Sequence, residues 1–463
     1  MTLPSRLFEP AAHARTLAWH DGRAITVAQF LAQAAALAER LPSHGQPVNL
    51  CTDRYLFTLG FVAALMRGQM SLMPPNAMPQ TLRQVAQPDA PPPYALVDDA
   101  AQDTGELRTI VLSYDDAPND RASTNDVAID PDLWAACLLT SGSTGTPQPQ
   151  RRRWRALRWS IDAQAQCLAQ WLGWPSIDGL HIVATVPAQH SYGFESSVLL
   201  PLLGGGAFDA GRPFYPADIA DALARLPRPR ALVTTPVHLK TLLLSGVALP
   251  PVDLVLSATA PLSPQLAQRA EASFGGRLIE IYGCTEAGQV AARRTTAGDV
   301  WTTLSGLQLH REATDDGERY VVAGGHVLEP TPLADVLELL DAQHFRLIGR
   351  ANDLIHVAGK RSSLAHLNFH LNRIEGVEDG AFWLPDDVAE GVVRLVAFVV
   401  APTLDARQIV SALRHDLEGA FVPRRVIHVP ALPREATGKL TTQRLREFAL
   451  RTLANVGAPP RSR

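Results

Sequence analysis

Short aliphatic runs recur along this chain, at 135–139, 181–186, 231–234, 254–256 and 278–281, and several of them end in a Gly- or Pro-containing turn. Between them lie stretches with helical periodicity. Residues 26–41 follow a Thr that can cap a helix, and 57–67 form a more apolar helix. Residues 48–51 read as a short strand and the Pro- and Asp-rich passage 87–93 as a loop. This alternation predicts an α/β architecture, in which strand ends leading into tight turns are where ligands bind. A chain of 463 residues exceeds what one compact core holds, so two domains are expected. Near residues 349–352 the texture changes to a small α+β module, with a strand at 393–400, a helix at 406–417 and a terminal helix at 441–450. The predicted organisation is a large domain over 1–349, a hinge at 350–352 and a small domain over 353–463.

Charge and composition remove several classes of function. A net charge of −4 gives no reason to expect a nucleic-acid partner. No apolar run reaches the length of about 18–20 residues that spans a membrane, and the first residues lack a hydrophobic signal core, so a cytoplasmic location is expected. Cys51, Cys137, Cys167 and Cys284 are scattered, which argues against a metal cluster or a disulfide framework. The lysines are only Lys240, Lys360 and Lys439, so each one is worth inspecting.

Two segments carry chemistry. Thr140-Ser141-Gly142-Ser143-Thr144-Gly145-Thr146-Pro147 directly follows a strand-like run. Its glycines let the backbone turn tightly, and its hydroxyls and N–H groups can wrap phosphate oxygens. Alone it is as readily a polar surface turn, and it lacks the GK[ST] ending of a Walker loop, which leaves little for a kinase reading. Tyr282-Gly283-Cys284-Thr285-Glu286 ends another strand-like run. An aromatic ring can stack on a base, a hydroxyl can hold a phosphate, and a carboxylate can hold Mg²⁺.

In this order and at this spacing, the motifs resemble those of the acyl-adenylate-forming superfamily of acyl- and aryl-CoA ligases, peptide-synthetase adenylation domains and luciferases. The likeness continues through Gly317-Glu318 with Gly324, Asp335 fourteen residues before Gly349, Gly349-Arg350-Ala351-Asn352-Asp353, Gly359-Lys360-Arg361 and Pro433–Leu440. The resemblance implies an ATP- and Mg²⁺-dependent enzyme. It would join a carboxylate to the α-phosphate of ATP, expel pyrophosphate, and pass the acyl group to a phosphopantetheine thiol. It assigns Lys439 to the carboxylate and α-phosphate, and Thr140, Ser141, Gly142, Ser143, Thr144 and Gly145 to the β- and γ-phosphates. Tyr282 falls to the adenine, Thr285 to the α-phosphate, Glu286 to Mg²⁺, Asp335 to the ribose hydroxyls, and Arg350 to the ribose or phosphate. Asn352 takes the hinge position of a two-conformation cycle, and Gly359 and Arg361 flank the thiol site. His190, Tyr192, Phe194, Ala258, Ala260 and Gly283 would line the acyl pocket, the aromatic groups framing a flat ring.

The chain departs from the pattern at Gln148, where the family loop carries a lysine. Arg151, Arg152, Arg153 and Arg155 follow at once. They read as a solvated basic face, as a substitute for the missing charge, or as a dock for an acidic carrier protein. Met73–Asn76, Gly288, Arg293-Arg294 and Trp301 resemble the ligases of aryl-polyene and xanthomonadin-type pigment clusters. That likeness implies a hydroxybenzoate-type acid and an acyl carrier protein. CoA as the acceptor, and a non-catalytic relative that binds nucleotide only, are the alternatives.

Overall fold

The computed structural model describes residues 5–83, 85, 91–114, 127–140, 148–314, 317–350, 354–357, 360–385, 395–434 and 440–456. Strands β1 (Thr16–His20) and β2 (Arg23–Thr26) lead into helix α1 (Val27–Arg40). The Thr26 side chain accepts from the Gln29 amide and Gln29 answers to the Thr26 amide, a capping box that fixes where α1 begins. Helix α2 (Arg54–Met66) starts three residues earlier than its apolar run suggests, because Asp53 caps it by accepting from the Leu56 N–H at 2.9 Å. Strand Gln46–Asn49 covers the start of the run expected at 48–51, and Pro93 opens a strand rather than ending a loop.

Among the described residues, antiparallel strands β3 (Trp134–Thr140) and β4 (Gln148–Arg153) form one edge of a six-stranded sheet. The long helix α3 (Trp154–Leu172) follows and buries Trp154 and Ile161. The larger sheet is then built from β5 (His181–Ala184), β6 (Ala207–Asp209), β7 (Arg230–Thr234), β8 (Leu254–Ser257) and β9 (Arg277–Cys284). It is extended by the antiparallel strands β10 (Gly288–Arg293), β11 (Val300–Thr303), β12 (Asp335–Leu339) and β13 (His344–Arg350). Helix α4 (Pro236–Leu244) leaves β7. Among the described residues its order is β12-β13-β11-β10-β9-β8-β7-β5-β6-β1-β2, with β9 through β1 parallel. Strands such as β7 and β8 are buried on nearly every residue, as parallel strands covered on both faces must be.

One apolar core joins the two sheets, with Phe30, Phe57, Phe61, Trp154 and Phe194 at its centre. The C-terminal residues have cores of their own. Strands β14 (Leu354–Val357) and β15 (Lys360–Ser363) precede helix α5 (Leu364–Arg373). Strands β16 (Asp379–Trp383), β17 (Val396–Val400) and β18 (Arg425–His428) form a small sheet with helices α6 (Ala406–Asp416) and α7 (Thr442–Val456). Ile355, Leu367, Phe382 and Ile409 pack in one cluster there, and Phe398, Leu445 and Ala449 in another. The architecture is a large α/β domain followed by a small α+β one. Among the described residues no helix is long and apolar enough to cross a membrane.

Candidate active site

The parallel strands β5, β7, β8 and β9 are neighbours, and their carboxyl ends lead directly into the segments marked in the sequence. His190 and Tyr192 follow β5, Ala258 and Ala260 follow β8, and Tyr282-Gly283-Cys284 close β9. A crevice outside these strand ends is where an open α/β sheet binds its ligand.

The Tyr282 ring is buried against Trp301 and Phe345, at centroid distances of 5.7 and 5.5 Å. Its hydroxyl donates to Asp335 Oδ2 at 2.7 Å. Asp335 begins β12 and stands opposite Arg350 in the β12–β13 ladder. The tyrosine, the carboxylate and the Arg350 backbone therefore converge from three strands. Arg293 supports this platform from outside. Arg293 lies 4.4 Å over the Trp301 ring and pairs with the buried Glu280 at 2.7 Å, and Arg294 pairs with Glu271 at 2.8 Å.

Thr285 and Glu286 sit in the tight turn between β9 and β10, Glu286 exposed and Thr285 half-buried. The turn needs its glycines. A Cβ on Gly283 would meet the Gly288 carbonyl at 2.3 Å, and Gly288 has φ +80°. The Cys284 thiol beside them is pushed up to about 12, chiefly by burial, so it stays protonated. Thr140 and Gln148 face each other across the β3–β4 ladder, Thr140 as the last residue of β3 and Gln148 as the first of β4. Ser141, Gly142, Ser143, Thr144 and Gly145 lie outside the described residues, as do Asn352, Gly359 and Lys439. Arg361 belongs to β15.

His190 is half-buried, and burial, with the Arg212 charge adding to it, holds its imidazole below the ordinary value. His238, on α4, was not singled out from the sequence. Its Nδ1 and Thr185 Oγ1 are 2.9 Å apart, Thr185 Oγ1 and Thr234 Oγ1 are equally close, and burial and Arg212 lower its imidazole too. The readable signal was Thr235-Pro236 after a strand, a helix start whose Thr235 side chain accepts from the His238 N–H. The Tyr192 hydroxyl is buried, which holds it well above the ordinary phenol range. Ala258 is buried and Ala260 half-buried, and between them Thr259 has φ +79°, a left-handed backbone that a β-branched residue rarely adopts.

Phe194 corrects the sequence reading. It is fully buried, edge-on to Phe61 at 5.1 Å and Phe57 at 6.3 Å, so it packs the core behind the site and offers a ligand no surface. The arginine run also divides. Arg153 stacks 4.2 Å over Trp134 and donates to the Asp132 carbonyl, Arg155 pairs with the Asp132 carboxylate at 2.8 Å, and Arg152 turns inward to donate to the Thr285 carbonyl. Of the expected basic face, Arg153 and Arg155 are thus held locally by Asp132 and Arg152 is drawn to a distant turn.

Residues 9–312 match the model of the family described as AMP-binding enzyme. The chain belongs to the AMP-binding enzyme family. It is an AMP-forming acid–thiol ligase that binds ATP and activates a carboxylic acid as its adenylate. It is 32% identical over 308 residues to a 4-coumarate–CoA ligase of Rhodobacter capsulatus, covering 66% of this chain and 74% of that one. In fold, this AMP-binding enzyme is similar to the ATP-bound MatB of Rhodopseudomonas palustris, with a TM-score of 0.76, 20% identity and coverage of 94% and 96% of the two chains. It is equally similar to the o-succinylbenzoate CoA synthetase of Bacillus subtilis in complex with its acyl-adenylate, with a TM-score of 0.78, 17% identity and full coverage of both chains.

Proposed function

We propose that this enzyme activates an aryl acid, of the hydroxybenzoate type, and transfers it to a phosphopantetheine thiol, an acyl carrier protein being favoured over CoA. The observation that carries the reading is the convergence of Tyr282, Asp335 and the Thr285–Glu286 turn beside the carboxyl ends of β5 and β8. On this reading Tyr282 would stack on the base and Asp335 would accept the ribose hydroxyls, next to the proposed acid pocket. His190, Tyr192, Ala258 and Ala260 would bound that pocket, with His238 added to them. Neutral imidazoles and a protonated phenol offer hydrogen bonds to a ring hydroxyl, and small alanines leave room for a flat plate. The 4-coumarate–CoA ligase named above acts on an aryl acid, which supports the same class. The carrier-protein preference rests on the Met73–Asn76, Gly288 and Trp301 pattern; the arginine run lends it little, given its local pairings.

Mg²⁺ fits the residues present. It is commonly held by one or two carboxylates together with substrate phosphates, and Glu286 is an exposed carboxylate on the turn that would face those phosphates. Bound there it would offset phosphate charge. Thr140, Ser141, Gly142, Ser143, Thr144 and Gly145 would hold the β- and γ-phosphates. Thr285 would contact the α-phosphate, and Asp335 and Arg350 the ribose. Lys439 would bridge the attacking carboxylate and the α-phosphate as charge builds between them. The division at 349/353, with Asn352 as pivot, would let the small domain present Lys439 first and Gly359 and Arg361 afterwards.

Pyrophosphate release with ATP, Mg²⁺ and a panel of acids, beside a Lys439→Ala control, tests the reading. Release that depends on a hydroxybenzoate and disappears in the control is expected. Release with fatty acids alone would refute the aryl pocket. Comparing CoA with a carrier protein as acceptor then decides the second half-reaction.

A further inference from the structure

Arg152 lies on β4, four residues after Gln148, and its neighbours Arg153 and Arg155 are held by Asp132. Its own guanidinium takes a different course. Nη2 donates to the carbonyl of Thr285, across 133 residues of sequence. Beneath the same turn lies Glu195, 3% exposed, which accepts from Ser191 Oγ at 2.8 Å, from the Gln289 backbone N–H at 3.3 Å and from Ser160 Oγ at 3.4 Å. A Cβ built on Gly288 would lie 3.4 Å from Glu195 Oε2 and 3.8 Å from Arg152 Nη2, so both groups flank that glycine, and the Arg152 charge favours the carboxylate without a direct ion pair. A buried carboxylate is tolerated when a cation and hydrogen bonds compensate it, and Arg152 supplies the cation.

This geometry fixes the turn at both ends. Arg152 holds the Thr285 carbonyl, and Glu195 holds the Gln289 N–H. In a trans peptide the carbonyl and the following N–H point in opposite directions. Turning the Thr285 carbonyl inward therefore directs the Glu286 N–H outward, and Glu286 itself is exposed. We propose that Arg152, neutralised by Glu195, is a positioning residue for adenylation: it sets the turn that presents Thr285 and Glu286 to the nucleotide. The proposal rests on reading that turn as the phosphate end of the ATP site. It also gives the arginine a part unlike that of the lysine missing at Gln148, since it acts from behind the turn with its charge compensated.

The test uses the full-length enzyme and four variants: Arg152→Lys, the neutral pair Arg152→Gln/Glu195→Gln, Glu286→Gln and Lys439→Ala. The neutral pair removes both charges together, so no carboxylate is left buried alone. Three quantities are measured: pyrophosphate release, amide hydrogen exchange across 284–289, and exchange in β8 as an internal reference. The neutral pair is expected to lower kcat about tenfold or more, as a small displacement of positioned groups does. It should leave the KM for the acid within about twofold and speed exchange in 284–289 while β8 stays protected. Arg152→Lys, which keeps the charge and loses the fork, should fall between it and wild type. Wild-type kcat and exchange in the neutral pair would overturn the positioning role. So would faster exchange in the turn and β8 alike, the mark of a merely structural part. Unchanged pyrophosphate release in Glu286→Gln would overturn the reading of the turn itself. That result is distinct from an impaired Glu286→Gln beside an unaffected Arg152 pair.

Discussion

The Tyr282 hydroxyl bonded to Asp335 divides one tyrosine into two functions, a ring that packs on Trp301 and Phe345 and an oxygen that orients a carboxylate. Tyr282→Phe keeps the ring and removes the donor. A bond of this kind contributes about 1 kcal/mol, so the KM for ATP should rise about fivefold while kcat and the KM for the acid hold. Pyrophosphate-release kinetics at varied ATP would check this, and a loss confined to kcat would contradict it. His326, 3% exposed, lies beneath the same turn, where burial and then the Arg152 charge push its imidazole down to about 4. The unfolded chain takes up this proton near 6.5, so below that pH it binds more protons than the folded chain. The stability His326 supports is complete above pH 6.5 and is lost as pH falls toward 4. Between pH 7.5 and 5 the wild type should lose about 2 kcal/mol more than His326→Gln, read from denaturant titrations at each pH.

At the scale of elements, the sequence was most legible where a strand runs into a tight turn. The ends of β8 and β9 are legible there, because glycine, proline and hydroxyl residues announce a turn without reference to the rest of the fold, whereas β4, which returns from Gln148 through the arginine run, is not. The failures have a common cause. An aromatic residue in an apolar stretch serves a pocket or a core equally well, and only the packing of α2 shows that Phe194 belongs with Phe57 and Phe61. Arg152, Glu195 and His238 gain their meaning from strands far apart in sequence, which no local pattern reports. Arg293 and Trp301, which the sequence marks only by texture, brace the Tyr282 platform, whereas Arg294 pairs with Glu271. In the small domain Arg434 forks onto Asp379 with bonds of 2.8 and 2.7 Å, five residues before Lys439. The pair ties the approach to the proposed catalytic lysine to the first residue of β16. Arg434→Ala should slow adenylation about tenfold and leave ATP binding intact, because misplacing a charged group costs rate before it costs affinity. Equilibrium binding of ATP beside single-turnover pyrophosphate release separates the two.

At the scale of the whole molecule, two domains with separate cores meet at a polar contact: Lys240 Nζ on α4 donates to the Val377 carbonyl, 3.2 Å away, in the turn between α5 and β16. Burial holds that amine below its ordinary value, against the opposing pull of Asp379 and Glu378. A contact of this size is easily exchanged for water, as the proposed two-conformation cycle would require. The chain has only two other lysines, Lys360 and Lys439, both in the C-terminal part. Lysine-directed labelling would therefore follow the large domain through one side chain, Lys240. With the domains in contact Lys240 is shielded by Val377. If the small domain swings, Lys240 should label several-fold faster at the stage of the cycle that breaks the contact, and peptide mass spectrometry after brief acetylation would reveal it. Equal labelling with no ligand, with ATP and acid, and with thiol added would mean that this face never opens. A composition poor in lysine thus gives the protein a built-in reporter of the proposed domain motion, with no dye or engineered cysteine.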